Sequence, residues 1–493
     1  MKLGFDNKKY LKLQSEKILE RIKMFDNKLY LEFGGKIFDD YHAERVLPGF
    51  HADSKIQLLK TLKDDLEIIF CISAKDIESN KIRADYGISY DMDLIRLIGK
   101  LSDIGLNVSN VVITQYNGQG AADIFKNKLE RMGIKCYIHT FTKGYPTDVD
   151  VIVSDEGYGA NPYIETTKPL VVVAAPGPCS GKLATCLSQL YHEYKRNVKA
   201  GYAKFETFPV WSLPLKHPVN VAYEAATADL KDVNMIDNFH LEKYGITAVN
   251  YNRDLEVFPV LKNILYKITG KNIYYSPTDM GVNCIGECIK DDNVIKEAAR
   301  QEIIRRYYNS LCDYKNGLIE LSVSQRIKVL MDELQIDINE RKVVSEALKK
   351  EKEKNQNVIA IELPNKKIVT GKSTNLMSCS ASMIINAIKV LAKIKDDIHL
   401  ISPNVLEPML KMKKNIYNSD KNLNLHDVLT ALSICAATNP TVELALSKLD
   451  KLKGVNAHAT CMIPKDDITI LKKLKINITC EPVFFSKDIK KEN

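Results

Sequence analysis

The clearest chemical pattern in the sequence is an apolar strand that runs into a glycine-containing turn and then into a helix. The stretch VVVAAPGPCSGKLAT places Gly177, Ser180, Gly181 and Lys182 between the two elements. Free backbone N–H groups and the positive end of a helix dipole attract phosphate at such turns, and a lysine side chain adds a full charge. The pattern therefore predicts a binding site for a nucleotide or another phosphorylated small molecule.

The turn is not a complete P-loop. The GxxxxGK[ST] motif requires a glycine where this chain has Pro176, and a serine or threonine where it has Leu183. Thr185, two positions later, replaces the missing Mg²⁺-binding hydroxyl only in part. ATP with Mg²⁺ is therefore one candidate cofactor among other phosphorylated ligands, and a tight turn that binds no ligand is the alternative.

Two carboxylates follow an apolar run upstream of the turn. In the stretch VIVSDEGYG, Asp155 and Glu156 come directly after the apolar run and one serine. Carboxylates at the carboxyl end of a parallel strand are well placed to bind Mg²⁺ or to accept a proton. We therefore predict a strand over residues 149–154 and assign Asp155 and Glu156 as candidate catalytic groups. An ordinary polar loop is the alternative.

A second glycine pattern, VVITQYNGQGAAD, places Gly118 and Gly120 between a strand and a helix. It is similar to a dinucleotide-binding fingerprint, but Asp123 occupies the position of the third glycine. The strand predicted to end at His139 also lacks the acidic residue that binds a ribose. An NAD(P)-dependent dehydrogenase that uses the two glycines is therefore an alternative function.

Two other motifs are incomplete. Residues 370–373 read TGKS after a strand, but Lys366 stands where a P-loop has its first glycine. The Ser- and Thr-rich stretch from there to Ser382 either caps a helix or forms half of a substrate site. His192 and Glu193 begin an HExxH motif whose last position is Arg196, so a zinc ion would lack its second imidazole. The sequence therefore predicts no metal site and disfavours a zinc peptidase.

Apolar runs alternate with helical periodicity along the first half of the chain, which indicates an α/β fold with a Rossmann-like, mostly parallel sheet. Besides 149–154, the predicted strands are 28–33, 66–72, 108–114, 134–139 and 170–175, and the predicted helices include 90–103, 120–132 and 183–196. Long helical segments follow, and strands near 358–363 and 399–402 then alternate with helices.

This pattern predicts three domains. They are a phosphate-binding α/β domain at residues 1–225, a mainly helical domain at 226–330, and an α/β or α+β domain at 331–493.

Composition and charge restrict the class of protein. In a chain of 493 residues, 70 Lys and Arg against 62 Asp and Glu give a net charge of +8 that is spread along the sequence, which does not indicate a nucleic-acid-binding protein. No apolar run approaches the roughly 20 residues of a membrane span, and none follows the basic N-terminus. Eleven cysteines without a CxxC pair are typical of free thiols in the cytoplasm.

Several long stretches together resemble one bacterial family, domain of unknown function DUF1846. They are FGGKIFDDYHAERVLPGF at 33–50, the segment 143–196, AGYAKFETFPVW at 200–211, LPLKHPVNVAYEAATADL at 213–230 and SPTDMGVN at 276–283. The resemblance extends over the whole chain and implies a multidomain cytoplasmic protein, and an enzyme whose reaction the family does not specify.

The resemblance also identifies one departure from the family pattern. The family's turn reads GPGSGK, whereas this chain has Cys179 at the middle glycine. If that position requires a positive φ, a cysteine costs on the order of 1 kcal/mol and hinders close approach of a ligand to the backbone.

We therefore expect a cytoplasmic enzyme that binds a nucleotide or a phosphorylated metabolite at the turn, in a cleft to which the polar residues of 143–168 and 250–254 contribute. The alternatives are the NAD(P)-dependent dehydrogenase and a non-catalytic sensor of a phosphorylated ligand. The expected partner is a small molecule, not a nucleic acid or a membrane. The sequence leaves open the substrate, the reaction and homo-oligomerisation.

Overall fold

The computed structural model describes residues 2–83, 87–417 and 422–485. The chain forms two compact units. The first comprises residues 2–224 and 232–296, and the second comprises residues 225–231 and those from Glu297 on. The division into three domains with boundaries near 225 and 330 stays a prediction.

Helices make up most of the regular structure. Within the described residues they are α1 Asn7–Met24, α2 Tyr41–Val46, α3 Ser54–Thr61, α4 Ala74–Glu78, α5 Tyr90–Asp103, α6 Gly120–Arg131, α7 Val149–Ile152, α8 Lys182–Lys195, α9 Pro218–Ala226, α10 Asn238–Tyr244, α11 Asn252–Thr269, α12 Pro277–Met280, α13 Asp292–Lys315, α14 Leu321–Glu333, α15 Lys342–Lys354, α16 Cys379–Ala392, α17 Pro403–Tyr417, α18 Leu425–Ala436, α19 Pro440–Leu446 and α20 Lys465–Lys473. None of these helices is long and apolar enough to cross a membrane.

The strands are short by comparison. They are β1 Leu29–Phe33, β2 Leu66–Ser73, β3 Ile82–Arg83, β4 Ile88–Ser89, β5 Val108–Tyr116, β6 Lys135–Thr140, β7 Leu170–Ala174, β8 Gly201–Phe205, β9 Asn234–Ile236, β10 Val249–Tyr251, β11 Gly281–Val282, β12 Val358–Glu362, β13 Ile368–Lys372, β14 Asn456–Ala459 and β15 Asn477–Cys480.

The first unit is built on a seven-stranded sheet in the order β11-β8-β1-β7-β2-β5-β6. Every neighbouring pair in this sheet is parallel, so the predicted Rossmann-like parallel sheet is confirmed. All residues of β2 and β7 are buried, as expected for strands that helices cover on both faces. β8 was not predicted from the sequence, because it has only five residues and a lysine and a glycine leave no continuous apolar run.

The strand predicted at 149–154 is wrong, because these residues form the short helix α7 followed by a turn. The side chain of Asp148 accepts a hydrogen bond from the backbone N–H of Val151 and so caps the helix. Ser154 Oγ then accepts from the backbone N–H groups of Glu156 and Gly157. Short polar side chains that bond to the local backbone favour helix starts and turns over strands, which outweighs the β-branched residues here.

The second unit contains a four-stranded sheet in the order β13-β12-β14-β15. β12 is antiparallel to β13 and β14, whereas β14 and β15 are parallel, so the predicted α/β or α+β C-terminal fold is confirmed. The strand predicted near 399–402 is wrong. These residues form bends before α17, which begins at Pro403, a residue whose fixed φ suits the first position of a helix.

The topology of the first sheet creates a crevice at one edge. The chain leaves β1 towards β2 on one side and leaves β7 towards β8 on the other side. Since right-handed crossovers in opposite directions lie on opposite faces of a sheet, a crevice opens between the carboxyl ends of β1 and β7. Helices do cover opposite faces of the sheet. Lys204 of β8 forms an ion pair with Asp254 of α11 on one face, and the next residue, Phe205, contacts Lys55 of α3 on the other face.

A glycine in β13 tests the packing of the second unit. A Cβ added to Gly371 would lie 2.1 Å from the backbone nitrogen of Met383 in α16. Gly371→Ala should therefore lower the free energy of unfolding by about 3 kcal/mol, measured by urea denaturation, because a backbone atom cannot yield as a side chain would. The control is Gly99→Ala in α5, where nothing lies within 4 Å and the substitution should stabilise the helix. Equal effects of the two substitutions would contradict this account.

Candidate functional site

The predicted turn connects β7 to α8, at the edge of the sheet where the crevice opens. Gly181 is the residue that precedes the helix and has a φ of 80°, and Lys182 is the first residue of the helix. The predicted order of strand, turn and helix is therefore confirmed. Because α8 has 14 residues, its N-terminus carries free N–H groups and a developed dipole.

The two glycines of the turn are required by contacts within the protein. A Cβ on Gly181 would lie 2.8 Å from the side chain of Thr114, and one on Gly177 would lie 2.5 Å from the ring of Tyr90. Thr114 Oγ1 also donates a hydrogen bond of 2.7 Å to the carbonyl of Ser180. The end of β5 thus supports the turn, and the glycines by themselves do not indicate a ligand.

Cys179 has the conformation that the sequence comparison anticipated. Its φ is 56°, in the left-handed region that favours glycine, and the residue is exposed. Gln115 of β5 donates a hydrogen bond to its carbonyl oxygen and helps to hold this conformation. The chain therefore accepts a steric cost at this position, on the order of 1 kcal/mol.

Two polar groups of the turn have no partner in the part of the chain that the structure describes. Ser180 is 3% exposed, and its hydroxyl makes no hydrogen bond. Lys182 is half-buried, and its ammonium group forms neither an ion pair nor a hydrogen bond with any described residue. Both groups lie at the N-terminus of α8, where an anion would satisfy them.

Thr185, the predicted substitute for a Mg²⁺-binding hydroxyl, lies one turn into α8. It is 1% exposed, and its Oγ1 accepts a hydrogen bond of 3.4 Å from the thiol of Cys71. The hydroxyl therefore belongs to the packing between α8 and β2.

Asp155 and Glu156 lie away from the turn. Asp155 accepts hydrogen bonds from Tyr191 (2.6 Å) and Lys195 (3.0 Å) near the C-terminus of α8, about 20 Å along the helix from Lys182. Glu156 forms an ion pair with Lys143, and both carboxylates are highly exposed. The interpretation of 149–156 as a strand that ends in carboxylates is therefore wrong, and the structure does not bring Asp155 and Glu156 to the turn.

Gly118 and Gly120 lie at the carboxyl end of β5, at the start of α6. Gly118 has a φ of 82°, which accounts for the glycine there. A Cβ on either glycine would have nothing within 4 Å. Asp123, at the third position of the fingerprint, accepts hydrogen bonds from the hydroxyl of Tyr116 in the same connection.

The incomplete metal motif is part of the protein interior. His192 bonds to the carbonyl of Asn161 at 2.7 Å, and Glu193 accepts from the hydroxyls of Tyr30 and Tyr163. Within residues 2–83, 87–417 and 422–485, no group of three His, Cys, Asp or Glu side chains lies close enough to hold a metal ion.

The first three residues of the TGKS stretch end β13, and Gly371 packs against α16. The side chain of Ser378 accepts a hydrogen bond from the backbone N–H of Ala381 and caps α16. The predicted helix cap is therefore confirmed, and the role of 370–373 in a substrate site stays a prediction.

A group of charged side chains that the sequence analysis did not single out lies beside the turn. Lys204 of β8 forms ion pairs with Glu206 at 2.8 Å and with Asp254 of α11 at 2.5 Å. Glu32 of β1 is in register with Lys204 and accepts a hydrogen bond of 2.8 Å from the Tyr202 hydroxyl. We call Glu32, Lys204, Glu206 and Asp254 the acidic cluster, since it contains three carboxylates and one ammonium group.

The acidic cluster is mostly shielded from solvent, so its charges interact strongly. Burial raises the pKa of Glu206, and Asp254 and Glu32 raise it further against the opposing effect of Lys204, to about 7. Burial alone would lower the pKa of Lys204, but the charges of Asp254, Glu206 and Glu32 outweigh it and raise that pKa. Lys204 therefore remains charged, while Glu206 exchanges its proton near neutral pH.

The acidic cluster and the turn are neighbours along the sheet edge. Glu32 is in register with Val173 of β7 on one side and with Lys204 on the other, so β7 and Lys204 are two strand spacings apart, about 10 Å. Arg253, next to Asp254, forms an ion pair of 2.6 Å with Asp232 and lies within electrostatic reach of Cys179. Residues 250–254 thus lie near this edge of the sheet, whereas Asp155 of the segment 143–168 contacts the C-terminal part of α8, and the cleft between the two segments stays a prediction.

A signal for these residues was present in the sequence. Glu32 and Lys204 interrupt apolar strands, and Lys204 and Glu206 are two residues apart, so both side chains point to the same face. A charged side chain in a buried strand requires a partner, but the sequence does not show which strands are neighbours.

Two family models together match almost the whole chain. The model described as domain of unknown function DUF1846, N-terminal, matches residues 3–335, and its C-terminal counterpart matches residues 339–489. The chain belongs to the DUF1846 family.

Relatives of this DUF1846 chain are similar over their full length. A UPF0371 protein of Clostridium botulinum (strain Eklund 17B / Type B) is 59% identical over 500 aligned residues, and a UPF0371 protein of Clostridioides difficile (strain 630) is 56% identical over 499. Each alignment covers 99% of both chains. The family resemblance is confirmed, and these names assign no reaction, so function must be argued from the site.

The strain at Cys179 can be measured. Cys179→Gly should raise the free energy of unfolding by on the order of 1 kcal/mol, because glycine adopts a positive φ without a steric penalty. Cys179→Ala keeps a Cβ and should leave the stability nearly unchanged. Both are measured by urea denaturation, and equal stabilities of the two variants would contradict a backbone origin.

Glu206→Gln should change how stability depends on pH. The pKa of Glu206 is about 7 in the folded protein against an ordinary value of 4.5, so the folded state binds this proton more tightly than the unfolded chain does. The wild type should therefore lose stability as pH rises from about 4.5 through 7, and the variant should escape this loss. Between pH 5 and pH 8, the stability of the variant relative to the wild type should increase by on the order of 2 kcal/mol in chemical denaturation.

The matched control is Glu156→Gln on the surface. Its hydrogen bond and ion pair with Lys143 lower the pKa of Glu156, so this substitution should not reproduce the gain at pH 8. A pH-independent difference between Glu206→Gln and the wild type would show that Glu206 has an ordinary pKa.

Proposed function

We propose that this protein binds a phosphorylated small molecule, with the phosphate at the turn from Gly177 to Lys182, and that it is an enzyme acting on that ligand. The observation that carries the proposal is the unsatisfied polar chemistry of the turn. The ammonium group of Lys182 and the buried hydroxyl of Ser180 have no partner among the described residues, and they lie together at the start of α8.

The electrostatics of a helix N-terminus support an anion at this place. A lysine in the first turn of a helix is repelled by the positive end of the dipole, by about 0.3 to 1 kcal/mol. An anion reverses this sign, because it pairs with the ammonium group and accepts hydrogen bonds from the free N–H groups. The crevice between β1 and β7 is also where parallel α/β sheets bind their ligands.

The acidic cluster supports the proposal that the protein is an enzyme. General acid–base catalysis is most effective when the pKa of the catalytic group is close to the working pH, and the pKa of Glu206 is about 7. Strongly perturbed pKa values also concentrate at active sites. We therefore place proton transfer at Glu206 and no longer at Asp155 or Glu156.

A cytoplasmic location fits this proposal. All eleven cysteines lie in the described part of the chain, and each is a free thiol. Free thiols are stable in a reducing compartment, which is also where phosphorylated metabolites are held.

Lys182→Ala tests the phosphate site. Without ligand, the variant should melt at the same temperature as the wild type or slightly higher, because the unfavourable interaction with the helix dipole is removed. A ligand present at 100 times its Kd should stabilise the wild type by about 2.7 kcal/mol, and the variant should lose this gain. The measurement is thermal unfolding with and without inorganic phosphate and ATP.

Lys195→Ala is the matched control, since it removes the same charge from the other end of α8. It should retain the ligand-induced shift. Equal shifts in the wild type and Lys182→Ala would show that Lys182 does not bind the phosphate, and no shift with either ligand in the wild type would count against the site.

A further inference from the structure

We propose that the crevice contains a second subsite, formed by Tyr251 and the acidic cluster, that binds the hydroxyl-bearing part of the same ligand. The ligand class is then a phosphorylated polyol, such as a sugar phosphate. This inference rests on the proposed phosphate site and adds what the rest of the ligand is.

The hydroxyl of Tyr251 is the observation that points to a ligand. Tyr251, the last residue of β10, is 7% exposed, and its hydroxyl has no hydrogen-bond partner among the residues that the structure describes. Tyr251 precedes Asp254 of the acidic cluster by three residues, and burial chiefly, then Tyr223 and the charges of Glu206, Asp232 and Asp254, raise the pKa of its hydroxyl. A buried hydroxyl that makes no hydrogen bond within the described part of the protein is expected to be satisfied by another molecule.

The hydroxyl of Thr207, next to the acidic cluster, is also buried without a hydrogen bond to any partner in residues 2–83, 87–417 and 422–485. Thr207 directly follows Glu206 and is 6% exposed. Three buried hydroxyls, those of Ser180, Thr207 and Tyr251, therefore lack a hydrogen bond to any described residue.

Aromatic rings form one wall beside these groups. The rings of Phe208 and Tyr223 are stacked with centroids 5.0 Å apart, and Tyr223 is stacked on Tyr251 at 5.7 Å. Flat aromatic surfaces beside hydrogen-bonding groups suit ligands that have both C–H faces and hydroxyl groups.

The balance of donors and acceptors selects a polyol. Carboxylates accept hydrogen bonds only, whereas the tyrosine and threonine hydroxyls can donate as well as accept. A row of ligand hydroxyls can donate to Glu206 and Asp254 and accept from Tyr251, which a purely anionic or purely cationic group cannot do.

The spacing of the two subsites fits one small molecule. Two strand spacings, about 10 Å, separate β7, which leads into the turn, from Lys204 of the acidic cluster. A phosphate bound at Lys182 would therefore place the carbon chain of a sugar phosphate in front of Glu32 and Glu206.

Isothermal titration calorimetry at pH 7 with a defined panel tests the inference. The probes are glucose 6-phosphate, fructose 6-phosphate, ribose 5-phosphate, sorbitol 6-phosphate, glycerol 3-phosphate, phosphoethanolamine and inorganic phosphate. At least one polyol phosphate should bind the wild type at least tenfold more tightly than inorganic phosphate. Tyr251→Phe should remove most of this advantage, about tenfold, and leave the Kd of inorganic phosphate unchanged.

Tyr10→Phe is the matched control variant, because Tyr10 is 0% exposed and its hydroxyl also lacks a partner, but it lies in α1 against Phe5 and Phe50. It should not alter binding of any probe. Since neither hydroxyl is bonded in the free protein, both variants should melt at or above the temperature of the wild type, which separates a binding role from a structural one.

The outcomes that overturn the inference are distinct from those that overturn the proposed function. If inorganic phosphate binds and no polyol phosphate binds more tightly, the polyol subsite is wrong and the phosphate site stands. Tightest binding of phosphoethanolamine would identify a cation subsite instead, and equal losses for all probes in Tyr251→Phe would show a structural effect. Absence of binding by every probe would overturn both.

Discussion

The pairing of β1 with β7 on one side and with β8 on the other determines where the functional groups of the first unit can lie. β1 is the first strand in the chain, yet it pairs with β7 and β8, which come much later in the sequence. The register of these two pairs sets Glu32 between Val173 and Lys204. Because the connections leave β1 and β7 in opposite directions, the turn and the acidic cluster meet at one crevice.

Charge balance explains the chemistry of that crevice. Three carboxylates surround the single ammonium group of Lys204 in a place with little water, so full ionisation would leave an excess of negative charge. The protein relieves this excess most easily at Glu206, whose pKa rises to about 7. A cluster of this kind stabilises the fold less than an apolar core would, which is consistent with the catalytic role that we propose for Glu206.

The turn combines structural and functional requirements that are separable. Gly177 and Gly181 are glycines because Tyr90 and Thr114 lie where a Cβ would be, so a turn without ligand would need them too. The Ser180 hydroxyl and the Lys182 ammonium group, by contrast, make no contact with the described residues that would explain them. Cys179, with a φ of 56°, shows that this turn tolerates backbone strain that a glycine would remove.

The sequence by itself determined the elements with strong local signals. The helices at 90–103 and 120–132, the buried strands at 66–72 and 170–175, and the start of a helix after Gly181 follow from periodicity and from glycine and proline punctuation. The strand at 149–154 failed because the local capping by Asp148 outweighed β-branched residues. Only the tertiary structure decided which groups share a site. In the folded protein, Asp155 and Glu156 lie near the C-terminus of α8, away from the turn. Glu32, Lys204 and Glu206 lie beside the turn, because long-range pairing makes β1, β7 and β8 neighbours. Strand order depends on how the whole sheet buries its faces, and no local pattern of residues encodes it.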